Sequence, residues 1–246
     1  WADWAAFEHE FQRRNLAAVR KFPITRHQRL GAGAVGSISR LYLDEASSTL
    51  YGAFRYPGTV EHVGAIDVRT GEVRRLADIK RAMLYKVASV AYDPSTGTVF
   101  YTNDNLALRD LMAVDAKTGV SRMLFEDARV GEMVVTPADK SIWGVRHENG
   151  FATIVRLAPP YDVWKRVAAF EYGNVPYDLD VSPDGRRLSA SVSEVSGDQF
   201  VRVWEIDRLA GGDVKPRSEF RFGQSVPESF VFSKDGRYLY GSSYYT

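Results

Sequence analysis

Five times along this chain an apolar run ends in a short turn: at Leu41 to Glu45, Val90 to Pro94, Met133 to Pro137, Leu179 to Pro183 and Phe230 to Lys234. The last residues of these runs are separated by 49, 43, 46 and 51 positions. Self-similarity at that period excludes one continuous sheet. Each repeat is instead a small unit that cannot bury its apolar faces alone and must stack on its neighbours.

Inside each period the order of runs recurs. A second run follows the anchor turn, at Leu50 to Arg55, Thr98 to Thr102, Ser141 to Arg146, Arg187 to Val192 and Arg237 to Gly241. A third covers His62 to Val68, Leu111 to Val114, Phe151 to Leu157 and Phe200 to Ile206. A fourth closes the unit at Glu72 to Leu76, Ser121 to Phe125, Val163 to Phe170 and Ser218 to Phe222. Asp184-Gly185 and Asp235-Gly236 are hairpin turns, because glycine accepts the positive φ that a tight loop needs. Four short antiparallel strands per repeat make a propeller blade, so the sequence predicts an all-β propeller.

Val181-Ser182-Pro183-Asp184-Gly185-Arg186-Arg187-Leu188 and Phe232-Ser233-Lys234-Asp235-Gly236-Arg237-Tyr238-Leu239 resemble the TolB-like propeller repeat, a relative of WD-repeat and prolyl-oligopeptidase blades. The turns Asp67-Val68-Arg69-Thr70-Gly71 and Asp115-Ala116-Lys117-Thr118-Gly119 look like that repeat's third-to-fourth strand turn. Repeats one and three depart from it, since Glu45-Ala46-Ser47-Ser48 and Pro137-Ala138-Asp139-Lys140 lack the glycine. The resemblance implies a non-catalytic interaction platform and a periplasmic or otherwise extracytoplasmic location.

The expected blades lie near 36–80, 86–127, 130–171, 175–223 and 225–246, four of them complete and the fifth with two strands only. An unpaired blade edge is an aggregation hazard, so the chain is expected to be a fragment whose ring is completed by other sequence. Residues 1–22 read as one amphipathic helix, with Trp1, Trp4, Phe7, Phe11, Ala18 and Val19 near one face and Pro23 ending it. That aromatic stripe is expected to pack on the propeller or against a missing N-terminal domain. Residues 23–35 form a linker.

Composition removes several function classes. Lys plus Arg number 32 against 31 Asp plus Glu, so no positive field is available for nucleic acid. No uncharged stretch exceeds ten residues, the length of Leu30 to Ser39, which falls short of a transmembrane span. Cysteine is absent, which excludes disulfides and thiolate chemistry. Gly31-Ala32-Gly33-Ala34-Val35-Gly36 matches the dinucleotide fingerprint, but a strand rather than a helix follows it. His9-Glu10 and His147-Glu148 open zinc-helix motifs that Arg13 and Phe151 fail to complete. Asp178, Asp180, Ser182 and Asp184 imitate a calcium loop, yet Pro183 and Ser189 occupy its glycine and glutamate positions. Alternation places Asp178, Asp180 and Ser182 on one strand face, in a solvated or turn-capping role. No cofactor, metal site or catalytic constellation is expected.

One position is polar in every repeat: Arg40, Ser89, Glu132, Asp178 and Ser229. The next is apolar throughout: Leu41, Val90, Met133, Leu179 and Phe230. First strands line a propeller's channel, so the polar set should ring its mouth, near Lys86, Tyr177 and Glu228 in the preceding loops. Arg40, Glu132, Tyr177, Asp178 and Glu228 are the candidate binding residues, with Arg40 set opposite Glu132 and Asp178. Three functions remain open. The first is a protein- or peptide-binding platform. The second is an accessory or gating propeller of a zinc-peptidase or prolyl-oligopeptidase-like hydrolase, whose catalytic domain lies outside this sequence. The third is a sensor of a small ligand or cation at the channel.

Overall fold

The computed structural model describes residues 2–19, 36–84 and 86–244, and it divides into two units. The first is helix α1, Ala2–Val19. Within it Trp4 meets Phe7 edge-on at 5.8 Å and Phe7 stacks on Phe11 at 6.3 Å, so the aromatic residues share a face. Glu10 braces the other side through Arg13 and Arg14 at 2.8 and 2.6 Å. Residue 1 and residues 20–35, which hold the end of the expected helix, the linker and most of the glycine fingerprint, lie outside the described residues.

The second unit is built of strands. Blade one holds β1 (Ser37–Ile38), β2 (Tyr42–Asp44), β3 (Thr49–Arg55), β4 (His62–Asp67) and β5 (Val73–Asp78). Blade two holds β6 (Val90–Asp93), β7 (Thr98–Asn103), β8 (Asp110–Asp115) and β9 (Ser121–Phe125). Blade three holds β10 (Val130–Val135), β11 (Ile142–Glu148), β12 (Phe151–Leu157) and β13 (Trp164–Ala169). Blade four holds β14 (Val175–Val181), β15 (Arg187–Ser193), β16 (Gln199–Glu205) and β17 (Ser218–Gly223), with helix α2 (Ile206–Ala210) between its last two strands. Blade five is the pair β18 (Val226–Phe232) and β19 (Leu239–Tyr244). Every pairing is antiparallel between strands adjacent along the chain, except that β1 and β2 both pair with β3. This is the propeller arrangement expected from the repeats. Nothing in the strand spacing signals α2, whose Ile206 and Leu209 are buried against blade four and its neighbour.

The core lies between blades rather than inside any one of them. Val99 and Tyr101 of β7 pack toward blade one, while Phe100 between them packs toward blade three. On β12, Ile154 faces blade four and Val155 and Leu157 face blade two. A two-residue side-chain period thus serves two interfaces at once. Burying side chains of this size contributes roughly 1.5–3 kcal/mol each.

The hairpins are closed by one recurring device. Asp44, Asp67, Asp93, Asp115, Asp139, Asp184 and Asp235 each sit in a turn and accept hydrogen bonds from its hydroxyls or amides. Two anchor turns that lack glycine still adopt left-handed backbone: Ser48 (φ 53°) and Lys140 (φ 63°) stand where blade two has Gly97 (φ 64°), whereas blades four and five place Gly185 and Gly236 (φ 70° and 68°) one position earlier in the turn.

Candidate functional site

Strict alternation fails at one place in the innermost strands, and that place builds the channel. On β10 the register slips by one residue between Gly131 and Val134, on β14 between Tyr177 and Asp180, and on β18 between Glu228 and Val231. Each slip is a β-bulge, which leaves an extra residue unpaired and bends the strand. The bulges centre on Glu132, Asp178 and Ser229, with φ of 51°, 50° and 55°. These are three of the repeat-aligned polar positions. Left-handed backbone costs a non-glycine residue about 1–2 kcal/mol, and here it turns the polar side chain toward the axis. In blade one the same interruption separates β1 from β2 at Ser39 to Leu41. The bulge also ends the shared face expected for Asp178, Asp180 and Ser182, since Tyr177 pairs with Ser191 and Asp180 with Ser189.

All five blades meet around a cavity of about 320 Å³. Arg40, Ser89, Glu132, Asp178 and Ser229 line it together with Lys86, and Ile38, Val90, Met133, Leu179 and Phe230 supply its apolar wall. The polar groups are knitted together. The Glu132 carboxylate accepts the amide of Asp178 at 3.0 Å, and the Asp178 carboxylate accepts that of Ser229 at 3.1 Å. The Ser89 hydroxyl accepts the amide of Met133 at 2.9 Å. Each of these bonds runs from one blade to the next. The Lys86 ammonium bridges Glu132 at 3.0 Å and Asp178 at 3.2 Å. Burial alone would lower its pKa, but the two carboxylates overcome this and hold it above the ordinary lysine value.

Arg40 reaches further than the sequence suggested. Its guanidinium crosses from blade one to blade four, donating to the Leu179 carbonyl and to Asp180 Oδ1, both at 2.5 Å. Asp180 is thus its direct partner, with Asp178 near enough to favour its charge. The other Asp180 oxygen accepts the Phe232 amide of blade five at 2.7 Å. Tyr42 adds a donor from blade one, its hydroxyl lying 3.0 Å from the Val90 carbonyl. Burial pushes that phenol's pKa up.

Two expected residues lie beside the cavity and do not line it. Tyr177 donates to the Pro227 carbonyl of blade five at 3.0 Å. Burial, reinforced by Asp178, Glu228 and Glu132, raises its pKa. Glu228 is exposed. Asp180 was missed because its partner is 140 residues away and the bulge that frees it leaves no mark in composition. Among the described residues no group of three His, Asp or Glu side chains is placed to hold a metal ion. None of the described helices is long and apolar enough to cross a membrane.

Neither a family model nor a curated protein matches this chain. Solved structures do. A structure assigned as TolB from Agrobacterium tumefaciens aligns with a TM-score of 0.64 at 15% identity, covering 83% of this chain and 73% of the other. A chain of the nidogen/laminin complex gives 0.62 at 14% identity, covering 84% and 72%. A gluconolactonase from Xanthomonas campestris gives 0.57 at 18% identity, covering 85% and 71%. What these three share with the present chain is the arrangement of blades around a channel, and on that ground its strand-built unit has the β-propeller fold.

Proposed function

We propose that this chain is a non-catalytic propeller that acts as a TolB-like platform for a protein or peptide partner, in an extracytoplasmic compartment. The observation that carries the reading is the state of the channel wall. A general acid, base or nucleophile must present a free reactive atom to its substrate. Here the carboxylates of Glu132 and Asp178 and the hydroxyl of Ser89 already accept backbone amides from the next blade. They are better suited to fixing blade geometry than to chemistry. The rim formed by Arg40, Glu132, Tyr177, Asp178 and Glu228 is the binding surface in this reading, with Glu228 as its exposed member. The aromatic face of α1, formed by Trp4, Phe7 and Phe11, offers a second protein-binding surface in this reading. The likeness to TolB supports the compartment.

The test assays the purified chain against peptide, ester, lactone and phosphate substrates, with and without zinc. No turnover is expected. Activity that survives repurification and disappears on a single substitution would establish an enzyme. Activity that appears only when a flanking hydrolase domain is attached would identify an accessory propeller instead.

A further inference from the structure

Away from the channel, three segments of blades two and three place cation-forming side chains side by side. The Arg129 amide donates to the carbonyls of Leu108 and Arg109 at 2.8 and 3.3 Å, and the His147 amide donates to the Arg129 carbonyl at 3.1 Å. Main-chain bonds therefore fix Arg109, Arg129 and His147 as neighbours on the walls of a cleft of about 180 Å³. Asn105, Ala107 and Leu108 complete its lining. Both arginines are half-buried, and among the described residues neither guanidinium has a hydrogen-bond or ion-pair partner. Of the carboxylates beside these segments, Glu132 pairs with Lys86, Glu148 with Arg166, and Asp104 with Lys80 and Arg81, while Asp110 accepts the Asp127 amide at 3.1 Å.

Removing a charge from water without a partner is unfavourable, and two like charges in one cleft add to the cost. Both arginines also sit in left-handed backbone, at φ 57° and 54°. Glycine would hold that conformation without strain, so the arginine side chain is what each position contributes. At Gly131 an added Cβ would come within 2.8 Å of Arg109 Nη1, so the absent side chain lets this guanidinium lie against the strand. Guanidinium forks match the planar or tetrahedral oxygens of carboxylates and phosphates. The cleft's volume suits one such group rather than a whole nucleotide.

We propose that Arg109, Arg129 and His147 form an oxyanion site that takes a single phosphate or carboxylate group of a small ligand. Thermal unfolding and arginine side-chain NMR, with inorganic phosphate, acetate and chloride compared at equal ionic strength, test it. A saturable response to phosphate or acetate beyond that to chloride is expected, and the stronger of the two identifies the ligand's acid group. Arg109→Met and Arg129→Met should each weaken it about tenfold or more, while melting no lower than the parent because each removes an unpaired charge. Should a methionine variant fail to fold, Arg129→Lys keeps the charge without the fork and should still bind more weakly. Responses to phosphate and acetate equal to chloride, or unchanged in the arginine variants, would overturn the site.

Discussion

Blade three and blade five are built from the same repeat, yet they differ in what surrounds them. On β12, Ile154 and Leu157 are fully buried on opposite faces, each inside a different inter-blade cluster. On β19, Tyr240 and Tyr244 are 59% and 55% exposed, and no residue of blade five belongs to a buried cluster. Strand pattern alone therefore does not stabilise a blade; a neighbour on each face does. Blade five is tied to blade four by polar bonds through Asp178, Asp180 and Arg187 and by the edge-on contact of Phe222 with Phe230 at 5.5 Å. One further tie, from Lys234 to Glu45 at 2.6 Å, joins its hairpin to that of blade one.

The largest expected effect breaks the buried side of this contrast. Ile154→Ala and Leu157→Ala should each cost about 2–5 kcal/mol, because a cavity opens where relaxation is limited by packing on both faces. Tyr240→Ala, whose ring only stacks on Tyr238 at 6.1 Å, should change stability by less than about 1 kcal/mol. Urea denaturation of the three variants measures the difference. Equal losses at Ile154 and Tyr240 would mean that blade five has a covered face after all.

A second substitution sharpens the polar side. Asp178→Ala removes the acceptor for the Ser229 amide and one partner of Lys86. Water can reach the exposed Ser229, so the global cost should be near the low end for a lost hydrogen bond, about 1 kcal/mol. The local effect should be larger. Hydrogen exchange should accelerate in residues 226–244 and remain slow in 142–157, while Asp178→Asn, which keeps an acceptor, should restore much of the protection. Uniform acceleration would show that the channel network stabilises the whole ring rather than its last blade.

Acid should separate the hairpins next. At Asp139 burial opposes ionisation, but hydrogen bonds from Thr136 and Ser141 and the charge of Arg156 prevail, bringing the pKa from 3.8 to about 2. A carboxylate whose folded pKa is depressed stabilises fully above its unfolded value and loses that contribution as pH falls toward the folded one. Stability should thus decline between about pH 4 and pH 2, with Asp139→Asn flattening that slope. The other six turn aspartates are shifted in the same direction, so a residual slope should persist. A variant with the parent's slope would remove Asp139 from this role.

Most of this architecture could be read from the sequence, because alternation and turn chemistry are local. The four-strand order, the two-strand last blade and the five inward polar positions all follow from spacing. What stayed hidden depends on contacts between blades. Whether Glu132 and Asp178 face a ligand or the next blade's amides depends on a bulge, and a bulge leaves no compositional trace. The pairing of Arg40 with Asp180 required blades one and four to meet across the axis. Proximity in sequence puts Lys86, Tyr177 and Glu228 alike at the mouth, whereas of the three only Lys86 lines the cavity, and in blades four and five the bulged Asp178 and Ser229 do so instead.

The glycine-poor turns of blades one and three give the smallest test, and a stabilising one. Ser48 holds φ at 53° where blade two has Gly97 at 64°, and its turn is already closed by Asp44, which accepts the Ser47 hydroxyl at 2.8 Å. Serine in left-handed backbone carries a steric penalty of about 1–2 kcal/mol, while glycine costs about 0.5–1 kcal/mol through the entropy of the unfolded chain. The steric term is the larger, so Ser48→Gly should raise stability by roughly 0.5–1 kcal/mol, and Ser48→Val should lower it. Lys140→Gly should gain less despite its similar φ of 63°, because it also removes the Lys140–Asp93 ion pair at 3.4 Å, a tie between blades three and two. The lost blade-to-blade contact would then offset part of the relieved turn strain at Lys140 and none of it at Ser48. Equal gains at both positions would show that this ion pair contributes nothing to holding the blades together.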